Sequence, residues 1–150
     1  MRIRTMSETD LPTVVALAVE VFGPFHEESF RPAVGEVVFT DRDAHWREEY
    51  AEQIPKLAHV AVAETPDGVI AGFVAWDDRG DVSHVAVSPG HRRTGLGRAL
   101  CEHAFARLKA AGTTVATIGT GGDDFHAPAR ALYESLGCTP FPLVTYYREL

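Results

Sequence analysis

Hydrophobic residues along this chain follow two periods, and the shorter period indicates β-strands. Runs rich in Val, Ile and Ala, bounded by polar or turn-forming residues, predict strands over residues 2–6, 59–64, 69–76, 81–87, 113–119 and 143–150. The run over 113–119 predicts a buried strand. The sequence TPDG at residues 65–68 is typical of a hairpin turn, so the second and third strands are expected to pair antiparallel.

A longer period of three to four residues predicts helices. It is found over residues 11–22, 95–112 and 128–137. In the second of these helices, Leu96, Leu100, Ala104 and Leu108 share one stripe that should face the core. Residues 23–56 have no regular pattern, and only short helical pieces near 26–31 and 43–54 are expected there.

The order of these elements predicts the fold class. One strand, a helical region, three strands, a helix, a strand, a helix and a last strand make an α/β (α+β) chain. We expect antiparallel N-terminal strands and a parallel, right-handed crossover in one mixed central sheet, with helices on both faces. A length of 150 residues predicts that 1–150 form one domain.

Composition narrows the classes of partner. The formal net charge is −7, and an acidic chain is a poor match for nucleic acid, whose phosphates require a basic surface. No run of about 18 apolar residues and no signal-peptide core occurs, so neither a membrane partner nor export is expected. Cys101 and Cys138 lie in different segments and form no CxxC, which predicts reduced thiols and a cytoplasmic protein.

Residues 88–100, SPGHRRTGLGRAL, join a predicted strand to a predicted helix. A helix N-terminus presents unpaired N–H groups, glycines permit close approach of a ligand, and three arginines add positive charge. This combination predicts a site for a phosphate or pyrophosphate. The chain has no GxxxxGK[ST] loop, and the dinucleotide pattern GxGxxG fails because Leu100 replaces the third glycine.

Two motifs resemble those of the GNAT N-acetyltransferase superfamily. Residues 92–97, RRTGLG, match its coenzyme A signature [QR]-x-x-G-x-[GA], directly after the strand-like VAVSP. Residues 129–138, ARALYESLGC, resemble its A-x-x-LYE-x-x-GF block. The resemblance implies a GNAT-like fold, acetyl-CoA as co-substrate without a metal, and direct acetyl transfer to a primary amine in a ternary complex.

The resemblance also implies which residues bind coenzyme A. These are Val85, Ala86 and Val87 of the strand, the turn residues Arg92, Arg93, Thr94, Gly95, Leu96, Gly97 and Arg98, and the downstream His126, Ala129 and Tyr133. His126 stands where the family often has Asn, and Cys138 stands where Phe is common. The first departure leaves open how the pantetheine arm is held.

Tyr133 occupies the position of the family's general acid, and Asp81 that of its base. Because side chains at i and i+2 of a strand share a face, Asp81, Ser83 and Val85 are expected on one side, with His84 as a second candidate base on the other. The backbone N–H near Val85 is expected to stabilise the oxyanion. A water chain is a further candidate for proton transfer.

The acceptor is expected to be a small-molecule or peptide amine. Residues 20–54 contain nine acidic residues against three arginines, which fits a cation-binding wall or simply a solvated helix face. Trp46 and Phe25 fit either an apolar acceptor surface or the core. Tyr146 and Tyr147 fit the core, the acceptor wall or the seam of a homodimer. The alternatives to an enzyme of this kind are an acyl-CoA sensor or pseudo-enzyme of the same fold and a dinucleotide oxidoreductase, and a longer acyl group is also compatible.

Overall fold

The computed structural model describes residues 1–150, and its centre is a five-stranded sheet in the order β1-β2-β3-β4-β5. The strands are β1 (Arg2–Thr5), β2 (His59–Glu64), β3 (Ile70–Trp76), β4 (Asp81–Val87) and β5 (Thr117–Ile118). The first four strands pair antiparallel with their neighbours, and β5 pairs parallel with β4. The predicted mixed sheet is confirmed.

Six helices surround the sheet: α1 (Leu11–Pro24), α2 (Arg31–Val34), α3 (Glu36–Arg42), α4 (Trp46–Gln53), α5 (Leu96–Ala110) and α6 (Ala127–Ser135). A π-helical segment, Phe25–Phe30, continues α1 directly into α2. Most of residues 23–56 is therefore helical, although the sequence has no helical period there. Short α3 and α4 bury one aromatic side chain each, Phe39 and Trp46, which is too little to make a stripe. No helix has the length and apolar content needed to cross a membrane.

Helices cover both faces of the sheet, as the sequence predicts. The stripe of α5 buries all four predicted residues against β2, β3 and β4, and Cys101 beside the stripe is buried as well. On the other face, α1 packs Val14, Leu17 and Ala18 against Phe73 and its neighbours. Fully burying one such aliphatic side chain contributes about 1.5–3 kcal/mol, so both layers hold the sheet in place.

Two predicted strands differ in the structure. Within 113–119 only β5 is formed, and it is not buried; Val115 is 69% exposed. The tail over 143–150 contains no strand, and Leu143 is 81% exposed. A period-two pattern shows that a segment suits a pleated surface, but a strand forms only where a partner strand is available. The tail instead lies along α3, and the ring of Tyr147 contacts Phe30 at a centroid distance of 5.6 Å.

A β-bulge interrupts the alternation of side chains in β4. His84 pairs with Ala75 and Val82 pairs with Trp76, so Ser83 is the extra residue with no partner on β3. Val82 and Val85 consequently share the face under α5, while Ala86 joins the cluster under α1. The expectation that alternate residues from Asp81 through Val85 share one face is therefore wrong, because the bulge shifts the register by one residue.

Candidate functional site

A cavity of about 210 Å³ lies where β4 and β5 separate. The two strands pair only at Asp81–Thr117 and Val82–Ile118, so from Ser83 onward β4 has no neighbour on that side. Backbone groups of β4 that point to this side are left without a ladder partner. The cavity is lined by Phe22, Tyr50, Val82, Ser83, His84, Val85, Ile118, Gly119, Thr120, His126, Ala129 and Tyr133.

The turn between β4 and α5 presents a continuous row of free donors. None of the seven backbone N–H groups of residues 92–98 has a hydrogen-bond acceptor in the protein. Thr94 Oγ1 donates to the carbonyl oxygen of His91 at 2.6 Å, and Arg93 and Gly95 adopt positive φ values of 62° and 80°. Such a left-handed turn leading into a helix turns successive N–H groups to one side, which is the geometry that binds phosphate oxygens.

Of the three arginine side chains in this turn, two are free and one is hydrogen bonded to α6. Arg92 and Arg93 are exposed and form no salt bridge, so their charges are available to an anion. Arg98 instead donates to Ser135 Oγ at 2.8 Å and ties α5 to α6. Gly97 leaves room for this approach, because a Cβ at this position would lie 3.2 Å from Leu132 Cδ2 and would require that side-chain tip to shift slightly.

Helix α6 and the turn before it bring three predicted residues to the cavity. Tyr133, Ala129 and His126 all line it. Burial, with the nearby thiols of Cys101 and Cys138 as smaller causes, raises the pKa of Tyr133, so its phenol stays protonated at neutral pH. Its hydroxyl has no partner in the protein and is free to donate. His126 Nδ1 is hydrogen bonded to Asp123 Oδ1 at 2.5 Å, which fixes its ring.

The two candidate bases occupy different places. The carboxylate of Asp81 accepts a hydrogen bond from Thr117 Oγ1 at 3.0 Å, at the closed end of the β4–β5 pair and outside the cavity lining. His84 lines the cavity, and its Nδ1 lies 2.8 Å from Ser83 Oγ. Burial lowers the pKa of His84, although the charge of Asp81 acts in the opposite direction. The cavity therefore contains a neutral imidazole, whose Nε2 has no partner in the protein.

The opposite wall of the cavity is aromatic. Phe22 and Tyr50 form it, with stacked rings 5.6 Å apart. Neither residue was a sequence candidate. Trp46 is 4% exposed and belongs to the packing behind this wall, while Phe25 lies against His126 at a centroid distance of 4.8 Å. No carboxylate lines the cavity, and of the acidic side chains of 20–54 Asp43 lies behind its aromatic wall, bonded to it through His26.

No group of three or more His, Cys, Asp or Glu side chains is arranged to hold a metal ion. The site offers four kinds of group: the free amides, the unpaired edge of β4, the imidazoles of His84 and His126, and the phenols of Tyr50 and Tyr133. An extended polar ligand with an anionic end fits along the first two, with its other end in the cavity beside the imidazoles and phenols.

Comparison with known proteins is consistent with this geometry. The family model of the acetyltransferase (GNAT) domain matches residues 56–139. The chain is 35% identical over 107 residues to a streptothricin acetyltransferase of Streptomyces lavendulae, covering 67% of this chain and 54% of that protein. It is 41% identical over 76 residues to the ribosomal protein bS18-alanine N-acetyltransferase of Escherichia coli K12, covering 49% and 50%. The chain thus spans about half the length of the curated relatives it matches.

Solved structures share the fold. The apo aminoglycoside 6'-N-acetyltransferase of Acinetobacter haemolyticus superposes with a TM-score of 0.65, over 100% of this chain and 99% of that one, at 20% identity. At this identity the likeness concerns the fold alone.

Proposed function

Because this chain belongs to the GNAT acetyltransferase family, we propose that it transfers acetyl from acetyl-CoA to a primary amine. The observation that carries the proposal is the row of seven unpaired amides over residues 92–98, which leads along the open edge of β4 to a cavity with His84 and Tyr133. Transfer proceeds by direct attack in a ternary complex. Cys101 is unsuited to a covalent intermediate, because it is fully buried in α5 and burial raises the pKa of its thiol to about 12.

The residues present fit coenzyme A. Its pyrophosphate would accept hydrogen bonds from the amides of Arg92 through Arg98, including those of Thr94, Gly95, Leu96 and Gly97, with the guanidinium groups of Arg92 and Arg93 beside it. The amides of its pantetheine arm would pair with the unpartnered backbone groups of Val85 and Val87, on either side of Ala86, whose own groups face β3. His126 and Ala129 would contact the arm from the other side.

The proposed reaction removes two protons from the amine nitrogen and gives one proton to the sulfur. An alkyl ammonium is almost entirely protonated at pH 7, with about one molecule in 2,500 neutral, so a proton acceptor is required. His84 Nε2 takes the first proton from the ammonium, and the freed lone pair attacks the thioester carbonyl. The N–H of Val85 stabilises the oxyanion. As the C–S bond breaks, the hydroxyl of Tyr133 gives its proton to the departing sulfur, and the second proton of the nitrogen restores the Tyr133 phenol.

We assign proton acceptance to His84 ahead of Asp81. His84 lines the cavity and is neutral, whereas the carboxylate of Asp81 bonds Thr117 at the closed end of the strands. Asp81 would then act only at a distance, through water. The two curated relatives carry the names of different acceptors, an antibiotic and a ribosomal protein, so the proposal stays at a small-molecule or peptide primary amine. The two free cysteines fit a cytoplasmic site of action.

A binding experiment and a turnover experiment test the proposal together. Coenzyme A should stabilise the protein in thermal unfolding and NAD should not. Charge reversal of Arg92 and Arg93 should abolish that shift, while Arg79→Glu, an exposed arginine on the β3–β4 turn, should leave it intact. Release of free thiol from acetyl-CoA in the presence of a panel of primary amines should follow.

Binding without thiol release from any amine would identify an acyl-CoA sensor instead. Absence of both coenzyme A binding and turnover would overturn the proposal altogether.

A further inference from the structure

Three side chains behind the aromatic wall form a hydrogen-bonded chain that ends in the cavity. Asp43 Oδ2 lies 2.6 Å from His26 Nδ1, and His26 Nε2 lies 2.8 Å from the hydroxyl of Tyr50. The three residues come from separate elements: the end of α3, the π-helical segment and α4. Only Tyr50 reaches the cavity lining.

Packing fixes the middle member of this chain. The ring of His26 lies parallel to Trp46, 4.7 Å away with an interplanar angle of 7°, and Phe25 and Tyr50 contact its ring at steep angles. The side chains of His26 and Asp43 are only 12% and 15% exposed. Since the ring cannot turn within this stack, its two nitrogens keep their separate partners.

The partners determine where the hydrogens lie. A carboxylate oxygen accepts, so Asp43 favours a hydrogen on His26 Nδ1. In the tautomer with that hydrogen alone, His26 Nε2 is an acceptor and Tyr50 donates its hydroxyl hydrogen to it. Burial, and then the charges of Asp43 and Glu49, raise the pKa of Tyr50, so the phenol keeps this hydrogen. The lone pairs of the Tyr50 oxygen remain for a donor in the cavity.

We propose that Tyr50, oriented by His26 and Asp43, binds the ammonium group of the acceptor beside His84. This inference rests on the proposed function and adds to it the group that recognises the amine. The rings of Tyr50 and His84 are 6.3 Å apart, and Phe22 contacts both, so an ammonium between them meets one oxygen, one ring nitrogen and an aromatic face. The buried charge of Asp43 lies behind Tyr50 and favours a cation there.

The arrangement also prepares the proton transfer. One N–H of the ammonium donates to Tyr50 Oη and a second to His84 Nε2. When the second proton moves to His84, the nitrogen stays held by Tyr50 while its lone pair forms the bond to the acetyl carbon. Tyr50 thus contacts the substrate, whereas His26 and Asp43 are positioning residues that act through it.

Two variants of the 150-residue protein test this hydrogen-bonded triad. Tyr50→Phe keeps the ring and removes the oxygen, so KM for the amine should rise about 10-fold, as expected for a lost hydrogen bond to a charged group, with kcat changing less and KM for acetyl-CoA unchanged. Asp43→Asn keeps the size of the side chain, and its amide oxygen can still accept from Nδ1, but it removes the charge behind Tyr50. KM for the amine should therefore rise, by less than in Tyr50→Phe.

Asp41→Asn is the matched control, because Asp41 is an exposed carboxylate of α3 that pairs only with exposed Arg42. It should leave both KM values unchanged. An amine KM within twofold of wild type in Tyr50→Phe, or equal rises in both KM values, would overturn the inference.

A measurement that needs no turnover separates this inference from the proposed function. Binding of n-butylammonium, followed by NMR shifts of the His84 ring, should weaken about 10-fold in Tyr50→Phe, and n-butanol should bind less well than n-butylammonium to wild type. Wild-type protein that binds the ammonium in this way but releases no thiol would contradict acetyl transfer while supporting the Tyr50 site. Thiol release by the wild-type protein, together with ammonium binding that Tyr50→Phe leaves unchanged, would support acetyl transfer and contradict the Tyr50 site.

Discussion

The two proposed binding regions are built differently: the one at the start of α5 consists of backbone amides, whereas the one at the cavity wall under α1 consists of side chains assembled from three elements. The amides of residues 92–98 are presented by one continuous turn. Tyr50 instead depends on His26, which is 24 residues away in the chain. A site built from backbone is set by local sequence and tolerates most side-chain changes, but a site built from a side-chain network fails when any one member is changed.

The largest expected effect tests the backbone side. Gly97→Glu should weaken coenzyme A binding by more than about 100-fold, because it places a carboxylate among the amides proposed to hold the pyrophosphate. Gly97→Ala is the matched control. Its methyl group would lie 3.2 Å from the flexible tip of Leu132, so it should bind within a few-fold of wild type. Isothermal calorimetry measures both, and equal losses in the two variants would show that packing, not charge, sets the effect.

The next effect concerns His84, where the two sides meet. His84→Gln should lower kcat by about 100-fold, as expected when a general base is removed. Because burial disfavours the imidazolium, the acidic limb of the wild-type pH–rate profile should lie below pH 6.5, the ordinary pKa of histidine. Asp81→Asn should retain most of kcat. If the acidic limb of the pH–rate profile disappears in Asp81→Asn and persists in His84→Gln, Asp81 rather than His84 is the proton acceptor.

A smaller loss is expected at Tyr133. Tyr133→Phe should lower kcat by about 10-fold and leave the dissociation constant of coenzyme A unchanged, since only the donor to the departing sulfur is removed. The raised pKa of Tyr133 keeps the donor protonated, so the wild-type rate should not fall between pH 8 and pH 10 through this group. Stopped-flow measurement of the acetyl-transfer step separates this loss from product release. An unchanged kcat would leave Tyr133 a packing residue between α6 and the sheet.

The smallest effect tests a side chain on the backbone side. Arg98→Ala should weaken coenzyme A binding only about 2-fold, because its contacts with Ser135 and Glu102 are exposed and such interactions contribute about 0.2–1 kcal/mol. The same calorimetry measures it. A loss comparable to that of Gly97→Glu would show that the arginine side chains, rather than the amides, dominate the anion site.

The same contrast explains what the sequence predicts. The turn at Arg92–Gly97 and the block from Ala129 to Cys138 are local, so their spacing indicates both the candidate site and the family. The stripe of α5 is periodic enough to assign four of the five buried residues of that helix. Tyr50 and its partners are not predicted, because 17 residues separate His26 from Asp43 and no local pattern joins them. Only their helical neighbourhood, rich in acidic residues, hints at an acceptor wall.

Other differences between the prediction and the structure depend on which strands pair in the fold. The bulge at Ser83 depends on the register between β3 and β4, so alternation within β4 alone wrongly places Asp81 and Val85 on the same face. The strand over 113–119 and the tail strand have suitable residues, but the fold offers β5 only two residues of β4 and offers the tail no partner strand.

The short pairing between β4 and β5 has a consequence for the molecule as a whole. Inside a sheet, the backbone N–H and C=O groups of a strand normally bond to the strands on both sides. Here, the groups of β4 beyond Val82 that face the β5 side have no partner strand. If the proposed co-substrate binds in that gap, it extends the sheet as a further strand does, so the bound protein has a more continuous sheet than the free one. The rigidity of the centre would then change each time the co-substrate binds and leaves.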